Sequence, residues 1–525
     1  MNRVTQAYER IRRVDRPEIW IDLRPEADVQ AEFAAATGPL AGKLFAVKGN
    51  IDVAGLPTTA ACPAYQYQPV EDAAVVARLR AAGAVVVGTT NMDQFATGLV
   101  GTRSPYGAVR NAIDPERVSG GSSSGSAVAV ALGIVDFSLG TDTAGSGRVP
   151  AAFNGIVGLK PTYGLIPTDG VVPACRSLDC VSIFARTVAE ASQVLACASQ
   201  QPPTPVLSLP YRLGVPAELG ELAPGWAEAF KVAVERFPGA SLVPIDLEPF
   251  LAAARLLYEG AFVAERYTAV GEFIDAHRSE VDPIVGGIIS AAKDVPAHRL
   301  FADQEVLARL RSIALGQLST VDALVLPTTV AHPTIAEVAA DPVGVNARLG
   351  RFTNFANLFG LAALAIPAGT VDGLPFGISL LGEGFSDGLL ASIAGTLPAT
   401  AKVAVVGAHL SGQPLNNELV SRGGVLVRDT TTAAAYRLYA LDTTPPKPGL
   451  VRSDDGAAIV AEVWELPLDA FGSFVASLPS PMAIGRVELA DGTWVPGFTC
   501  ERYALEGAED ITSYGGWRPY LTRAL

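Results

Sequence analysis

Cysteine is scarce in this chain: five residues among 525 (Cys62, Cys175, Cys180, Cys197 and Cys500), scattered and without a C-x-x-C pair. That pattern excludes a disulfide framework, and with only four histidines, unclustered, it offers no set of four metal ligands. The expectation is reduced thiols, a cytoplasmic setting and no bound metal. Long apolar runs are also missing. The longest, Ala127 to Val135 and Leu361 to Pro367, are far too short to span a bilayer. The amino-terminal MNRVTQAYERIRR has no apolar segment behind its basic residues, so no export signal is expected. Charge is sparse at 18% and of one excess sign, 39 − 53 = −14. A field of that sign repels nucleic acid and anionic membrane, and an anionic substrate would need a local cationic pocket. No G-x-x-x-x-G-K-[ST] run is present, which excludes a P-loop.

What the chain has instead is apolar residues, 49%, with 52 glycines and 38 prolines: a turn-rich globular composition. From Leu44 to about Leu390, short apolar runs alternate with helical patterns. KLFAVKG, ARLRAAGAVVVGTTN and SAVAVALGIVDFSLGTD read as strand, helix-strand and helix-strand. LSTVDALVLPTTV and LAALAIPAGTVDGLPFGISLLG read as buried strands returning to the same sheet. The expected class is α/β with a mixed central sheet flanked by helices. Near GTLPATAK (Gly395 to Lys402) the pattern becomes strand-rich, giving domains 1–398 and 402–525. In the second domain Asp491-Gly492 signals a two-residue hairpin, TTPPKPG (Thr443 to Gly449) reads as a surface turn, and LDAFGSFVASL is the one evident helix.

The most informative stretch is Ser119 to Pro150, SGGSSSGSAVAVALGIVDFSLGTDTAGSGRVP. A Gly/Ser loop enters a helix of small residues, a strand follows, and a second Gly-rich loop carries Ser146. Gly121 to Gly125 also fits G-x-S-x-G with Ser123 as nucleophile, but an elbow follows a buried strand, whereas RNAIDPERVSGG is polar and turn-like. Ser290-Ala291-Ala292-Lys293 matches S-x-x-K without its companion motifs and reads as a turn of ordinary helix.

The pieces Gly120 to Ser126 (GGSSSGS), Gly140 to Ser146 (GTDTAGS, with Ser146 following Ser122 by 24 residues) and Val47 to Asn50 (VKGN) together resemble the amidase signature family of serine hydrolases. The resemblance continues through GLKPTYGLIP, SLDCVSIFART and GLPFGISLLG, covering most of the first domain. It implies Ser146 as nucleophile, Ser122 as a bridging serine with a cis peptide bond, and Lys48 as base. It also implies an oxyanion hole from the N–H groups of Thr143, Ala144, Gly145 and Ser146. A serine hydroxyl needs a base, and a lysine serves only if burial lowers its pKa toward neutrality. Ala144 and Gly147 depart from the commoner TDTGGSIR form, which narrows the branch.

TNMDQFATGLVGTRSPYG, TDTAGSGRVPAAFNGIVGLKPT, VPACRSLDCVSIFA and YEGAFVAERY are similar to the allophanate hydrolase branch. There a tyrosine and an arginine eight residues apart bind the substrate, and Tyr258 and Arg266 fit. Allophanate, H2N–CO–NH–COO⁻, would find in Arg266 a guanidinium for its carboxylate. Arg176 is a second cationic candidate. Gln94 stands where relatives of other specificity carry Glu, so it either suits an anionic substrate or is a hydrogen-bonding support. His277, His298 and His332 read as solvated or capping residues. The second domain resembles γ-glutamyl cyclotransferase-like folds. His409, closing the strand VAVVGA, is its candidate, polarising or protonating the N-carboxycarbamate that some family members decarboxylate there. The resemblance implies no cofactor, a small anionic substrate, a homodimer, and a separate urea carboxylase or biuret-producing pathway as allophanate source, since no AMKM biotin-attachment sequence is present.

Overall fold

The computed structural model describes residues 2–200 and 210–522. The chain forms two compact units: residues 1–368 with 375–396, and residues 397–525 with the short segment 369–374.

The first unit is built on an eleven-stranded sheet. Its strands are β1 (Trp20–Leu23), β2 (Leu44–Lys48), β3 (Val85–Thr90), β4 (Phe137–Asp142), β5 (Val157–Lys160) and β6 (Cys180–Ala185). They continue with β7 (Tyr211–Pro216), β8 (Ala240–Ile245), β9 (Ala323–Pro327), β10 (Ala362–Val371) and β11 (Leu374–Gly382). The order is β1-β3-β2-β4-β6-β5-β10-β11-β9-β7-β8. β2 runs parallel to β3 and β4, while β6 is antiparallel to β4 and β5, so the sheet is mixed. Strands covered on both faces read as continuous apolar runs, and every residue of β2, β3, β4 and β6 is buried.

Helix Ser124–Ala131 packs on these strands with Ala127, Val128, Ala129 and Val130 in one core that also takes Leu44, Ala46, Val85 and Val87. Its small side chains permit the approach. Helix Val149–Asn154 has Pro150 in its first turn and ends at Gly155, whose φ is +65°, the usual chemistry of a short helix between two turns. Between Glu248 and Leu318 the α/β alternation is interrupted by a helical block, Glu248–Glu259, Ala264–Ala276, Pro283–Ala291 and Ala297–Leu318, that the strand-centred sequence reading does not single out. Ser290 and Lys293 lie there; Lys293 pairs with Asp275 on the surface (2.8 Å), as a plain helical turn would.

In the second unit the strands are β12 (Thr400–Val405), β13 (Val425–Thr431), β14 (Tyr436–Leu441), β15 (Lys447–Arg452), β16 (Val460–Pro467), β17 (Met482–Glu488), β18 (Trp494–Cys500) and β19 (Glu509–Asp510). They make a five-stranded sheet, β13-β16-β12-β18-β17, and a three-stranded one, β15-β14-β19. Val403, Val405, Leu438, Leu450, Val463, Leu466, Phe474 and Trp517 share its core. Three expectations change. Besides helix Leu468–Ala476 there are short helices at Asn417–Val420 and Trp517–Thr522. The Asp491-Gly492 pair sits in a longer turn, closed by the Leu489 N–H donating to the Thr493 carbonyl, with Gly492 at φ +77°. Lys447 to Gly449 are not surface turn but the buried start of β15.

Candidate active site

Lys48 ends β2 and Thr141 lies near the end of the adjacent β4, so the parallel register brings their side chains together at one edge. Lys48 Nζ donates to Thr141 Oγ1 (2.7 Å) and to Ser122 Oγ (2.7 Å). It is fully buried, and burial pulls its pKa from 10.5 down to about 7 against the opposing pull of Asp93, Asp179 and Asp142. Half the lysines are then uncharged near neutrality.

The serine-rich loop is stitched to the sheet by its other serines. Ser123 Oγ donates to the Thr141 carbonyl (3.1 Å) and accepts from the Thr141 N–H, Ser124 Oγ donates to the Asn91 carbonyl, and Ser126 Oγ donates to that of Leu139. Ser123 is thus occupied structurally. Ser122 is held differently: the Gly121–Ser122 peptide bond is cis and the Ser122 carbonyl accepts from the Asp93 N–H (3.1 Å). A side chain at Gly121 would meet Asp93 Oδ2 at 2.1 Å, so only glycine permits this approach.

After β4 the chain turns through Thr143 to Ser146. The turn is fixed by a fully buried pair, Asp142 and Arg148, joined by two hydrogen bonds of 2.9 Å. Burial alone would raise the Asp142 carboxyl; the Arg148 charge and hydrogen bonds hold it below its ordinary value. Arg148 also donates to the Thr353 carbonyl and to Asn357 Oδ1, and Thr353 Oγ1 donates to the Ala144 carbonyl (2.6 Å). Thr143 Oγ1 donates to Asp179 (2.5 Å), whose carboxyl burial pushes up. Ser146 stands in this turn, 3% exposed. The Gly145 N–H already donates to Asp142 Oδ1 (2.8 Å), which corrects its place among the oxyanion donors. Gly145 serves by conformation instead: its φ is +126°, and a Cβ there would meet Thr353 Oγ1 at 2.4 Å. Thr143, Ala144 and Ser146 have no N–H acceptor among the described residues.

Tyr258 ends the first helix of the helical block and Arg266 stands in the second. Arg266 is 2% exposed. Its Nη2 donates to the Tyr258 hydroxyl (3.3 Å), its Nη1 to Thr97 Oγ1 (2.9 Å) and to the Ala96 carbonyl (3.4 Å), and its guanidinium lies 5.5 Å from the Tyr258 ring centre. Among the described residues no carboxylate lies within ion-pair distance of it; burial alone would lower its pKa, but Tyr258 and, at longer range, Asp179 keep it above the ordinary value. Tyr258 packs against the apolar cluster that contains Ala144 and Cys175, which joins the guanidinium to the serine turn. Burial raises the Cys175 thiol to about 12, so it is inert. A cleft of about 1060 Å³ borders Tyr258, with Arg103, Asn346 and Asn354 in its wall, while Ser146, Ser122, Lys48 and Arg266 do not line it; the Asn354 amide, oriented to donate, reaches the Ala144 carbonyl at 2.9 Å.

The remaining candidates separate. Arg176 is exposed and, among the described residues, engaged only through its carbonyl, which accepts from the Tyr163 hydroxyl; none of these contacts brings it to Arg266. Gln94 is a support: Nε2 donates to the Ala61 carbonyl (3.0 Å) and Oε1 accepts from the Asp282 N–H (2.7 Å). Around it Ala60, Ala61, Phe95 and Ala96 all adopt positive φ, strain of the kind that gathers at functional sites. His332 is not solvated. It is 6% exposed, stacked on Phe153 with ring centres 4.0 Å apart, and burial lowers its pKa to about 4. His298 is exposed and His277 half-buried. In the second unit His409 is 5% exposed, stacked on Phe498 (4.8 Å) and edge-on to Phe474, with Nε2 3.2 Å from Glu418; burial lowers its pKa. Sequence reasoning missed Asp142–Arg148, Thr141 and Arg103. The adjacency of Asp142 and Arg148 to Ser146 was the available signal for the first. Among the described residues no cluster of three or more potential ligands could hold a metal ion, and no helix is long and apolar enough to cross a membrane.

Comparison with known proteins bears on the fold and the family. Residues 18–391 match the amidase family model, and residues 401–522 match the model of the allophanate hydrolase C-terminal domain. Urea amidolyase of Saccharomyces cerevisiae is 45% identical over 96% of this chain, which spans 31% of that protein's length. Urea amidolyase of Lachancea kluyveri is 42% identical over the same 96% of this chain, again 31% of its own length. The structure of Kluyveromyces lactis allophanate hydrolase superposes with a TM-score of 0.70 at 40% identity, covering 99% of this chain and 97% of that one. With an α/β unit of this topology, the paired serine loops and a matching family model over most of its length, the chain belongs to the amidase family and carries an allophanate hydrolase C-terminal domain.

Proposed function

We propose that this chain hydrolyses allophanate, with Ser146 as nucleophile, Ser122 as proton relay and Lys48 as base. Arg266 carries the reading: an enclosed guanidinium without an ion-pair partner among the described residues, set beside the Tyr258 hydroxyl and joined to the serine turn through the Tyr258–Ala144 cluster. Allophanate has a carboxylate to complete that pair and a carbamoyl group for the serine.

The uncharged form of Lys48 accepts the Ser122 proton across their 2.7 Å contact while Ser122 accepts that of Ser146. Ser146 Oγ attacks the carbamoyl carbon, and the N–H groups of Thr143, Ala144 and Ser146 take the developing oxyanion in a turn already rigid in the free protein. Collapse expels ammonia, the proton returning through Ser122. Water then cleaves the acyl-enzyme by the same relay and releases N-carboxycarbamate. Each step is supplied by the chain's own groups.

For the second unit we propose that His409, uncharged at neutral pH by burial, donates a hydrogen bond to N-carboxycarbamate on its way to ammonia and CO2. Release of both products unchanged by His409→Ala excludes that role. A cytoplasmic homodimer supplied with allophanate by a urea carboxylase is the setting we propose; the urea amidolyase relative, of which this chain spans 31%, supports that link.

The test is ammonia release from allophanate, biuret, malonamate, glutamine and a neutral amide, compared side by side with Arg266→Ala. Preference for allophanate, lost in the variant, supports the reading. Preference for a neutral amide or glutamine leaves the Ser146–Ser122–Lys48 chemistry standing and rejects the substrate.

A further inference from the structure

Three arginines of the first unit are almost wholly enclosed, and they differ in what faces them. Arg148 has the carboxylate of Asp142. Arg266 and Arg103 have no ion-pair partner among the described residues, Asp179 acting on Arg266 only at longer range, and both bind the same residue, Thr97. Arg103, 3% exposed, donates from Nη1 to the Thr97 carbonyl (2.9 Å) and from Nη2 to the Pro342 carbonyl (2.6 Å); its Nε has no partner among the described residues. Arg266 donates to the hydroxyl of that threonine. A second strut joins the same two segments, the Leu99 N–H donating to Asn346 Oδ1 (2.7 Å). Arg103 and Asn346 both stand in the wall of the cleft with Tyr258.

The backbone at Thr97 needs holding. It follows two residues of positive φ, Phe95 at +49° and Ala96 at +53°, a conformation that persists only where the surroundings enforce it. A guanidinium suits the task because its two terminal nitrogens diverge in one plane and reach carbonyls on separate segments together; an ammonium on a flexible stem reaches one.

We propose that Arg103 is a specificity-determining positioning residue: by bridging Thr97 and Pro342 it fixes the hydroxyl that aims the Arg266 fork, and so sets the preference for a carboxylate-bearing amide. This rests on the reading of Arg266 as the carboxylate clamp. Arg103 touches no reacting atom, and a neutral amide that makes no use of the clamp is indifferent to it.

Arg103→Lys keeps the charge and loses the bridge; Arg103→Met loses both. Each full-length variant is compared with wild type on malonamate and on malonamide, its neutral counterpart of the same size, with malonate binding measured by calorimetry. The expected result for both variants is a loss on the order of tenfold in malonate affinity and in kcat/KM for malonamate, carried by KM, with malonamide turnover essentially unchanged. An Arg103→Lys protein that binds malonate as wild type does, or equal losses on the two substrates, overturns the inference while the clamp stands. Wild-type protein that does not bind malonate overturns the clamp and this inference with it.

Discussion

Replacing Lys48 by methionine should produce an inactive protein whose stability relative to wild type depends on pH in a stated direction. The folded lysine titrates near 7 and the unfolded one near 10.5, because burial outweighs the three nearby carboxylates. Between those values the unfolded chain binds the extra proton, so wild-type stability rises with pH there, by about 1.4 kcal/mol per unit. Over the interval the contribution amounts to about 5 kcal/mol, and below pH 7 the folded protein carries that whole cost of a charged, enclosed amine. Lys48→Met lacks the dependence. It also leaves Ser122 and Thr141 without their 2.7 Å partner, a pH-independent loss of about 1–3 kcal/mol for each buried hydroxyl. The difference, variant minus wild type, therefore shifts in favour of the variant as pH falls from 10 to 7 and is flat below. Denaturant melts of both proteins at pH 6, 7, 8 and 9 measure it, since other titrating groups cancel. A difference that does not change with pH refutes the assignment of a depressed lysine and removes the base from the relay. The same titration predicts that wild-type kcat/KM falls about tenfold per pH unit below 7.

Ser146→Ala should abolish ammonia release with the fold intact by circular dichroism, whereas Ser123→Ala, losing only its contacts with Thr141, should remain active; the reverse would restore the elbow reading. Arg266→Met should cost about 1.5–3 kcal/mol in kcat/KM for malonamate, measured against malonamide. Arg148→Met strands the Asp142 carboxylate and should destabilise the first unit by about 3–5 kcal/mol, read from denaturant midpoints.

The sheet around the relay was legible because doubly covered strands read as near-continuous apolar runs: LFAVK, VVVGTT and ALVLP are all buried along their length. The serine spacing was legible because both loops flank one helix-strand unit. What escaped depends on partners distant in sequence. His332, between alanine and proline, reads as loop, yet Phe153 stacks on it from 179 residues away. Arg103 lies in the polar run GTRSP and looks solvent-facing until Pro342 is brought to it. Which N–H groups of the turn stay free depends on the Asp142 side chain taking that of Gly145, a rotamer no composition reveals. Arg176, equally cationic on paper, ends in solvent.

The interruption of the α/β alternation has an evolutionary meaning. The residues of the proposed relay lie between 48 and 146, on strands and loops fixed by the sheet, while Tyr258 and Arg266 stand in a separate helical block. Selection can therefore alter which amide is admitted through that block and the Thr97–Arg103 stretch it leans on, leaving the serine loops untouched.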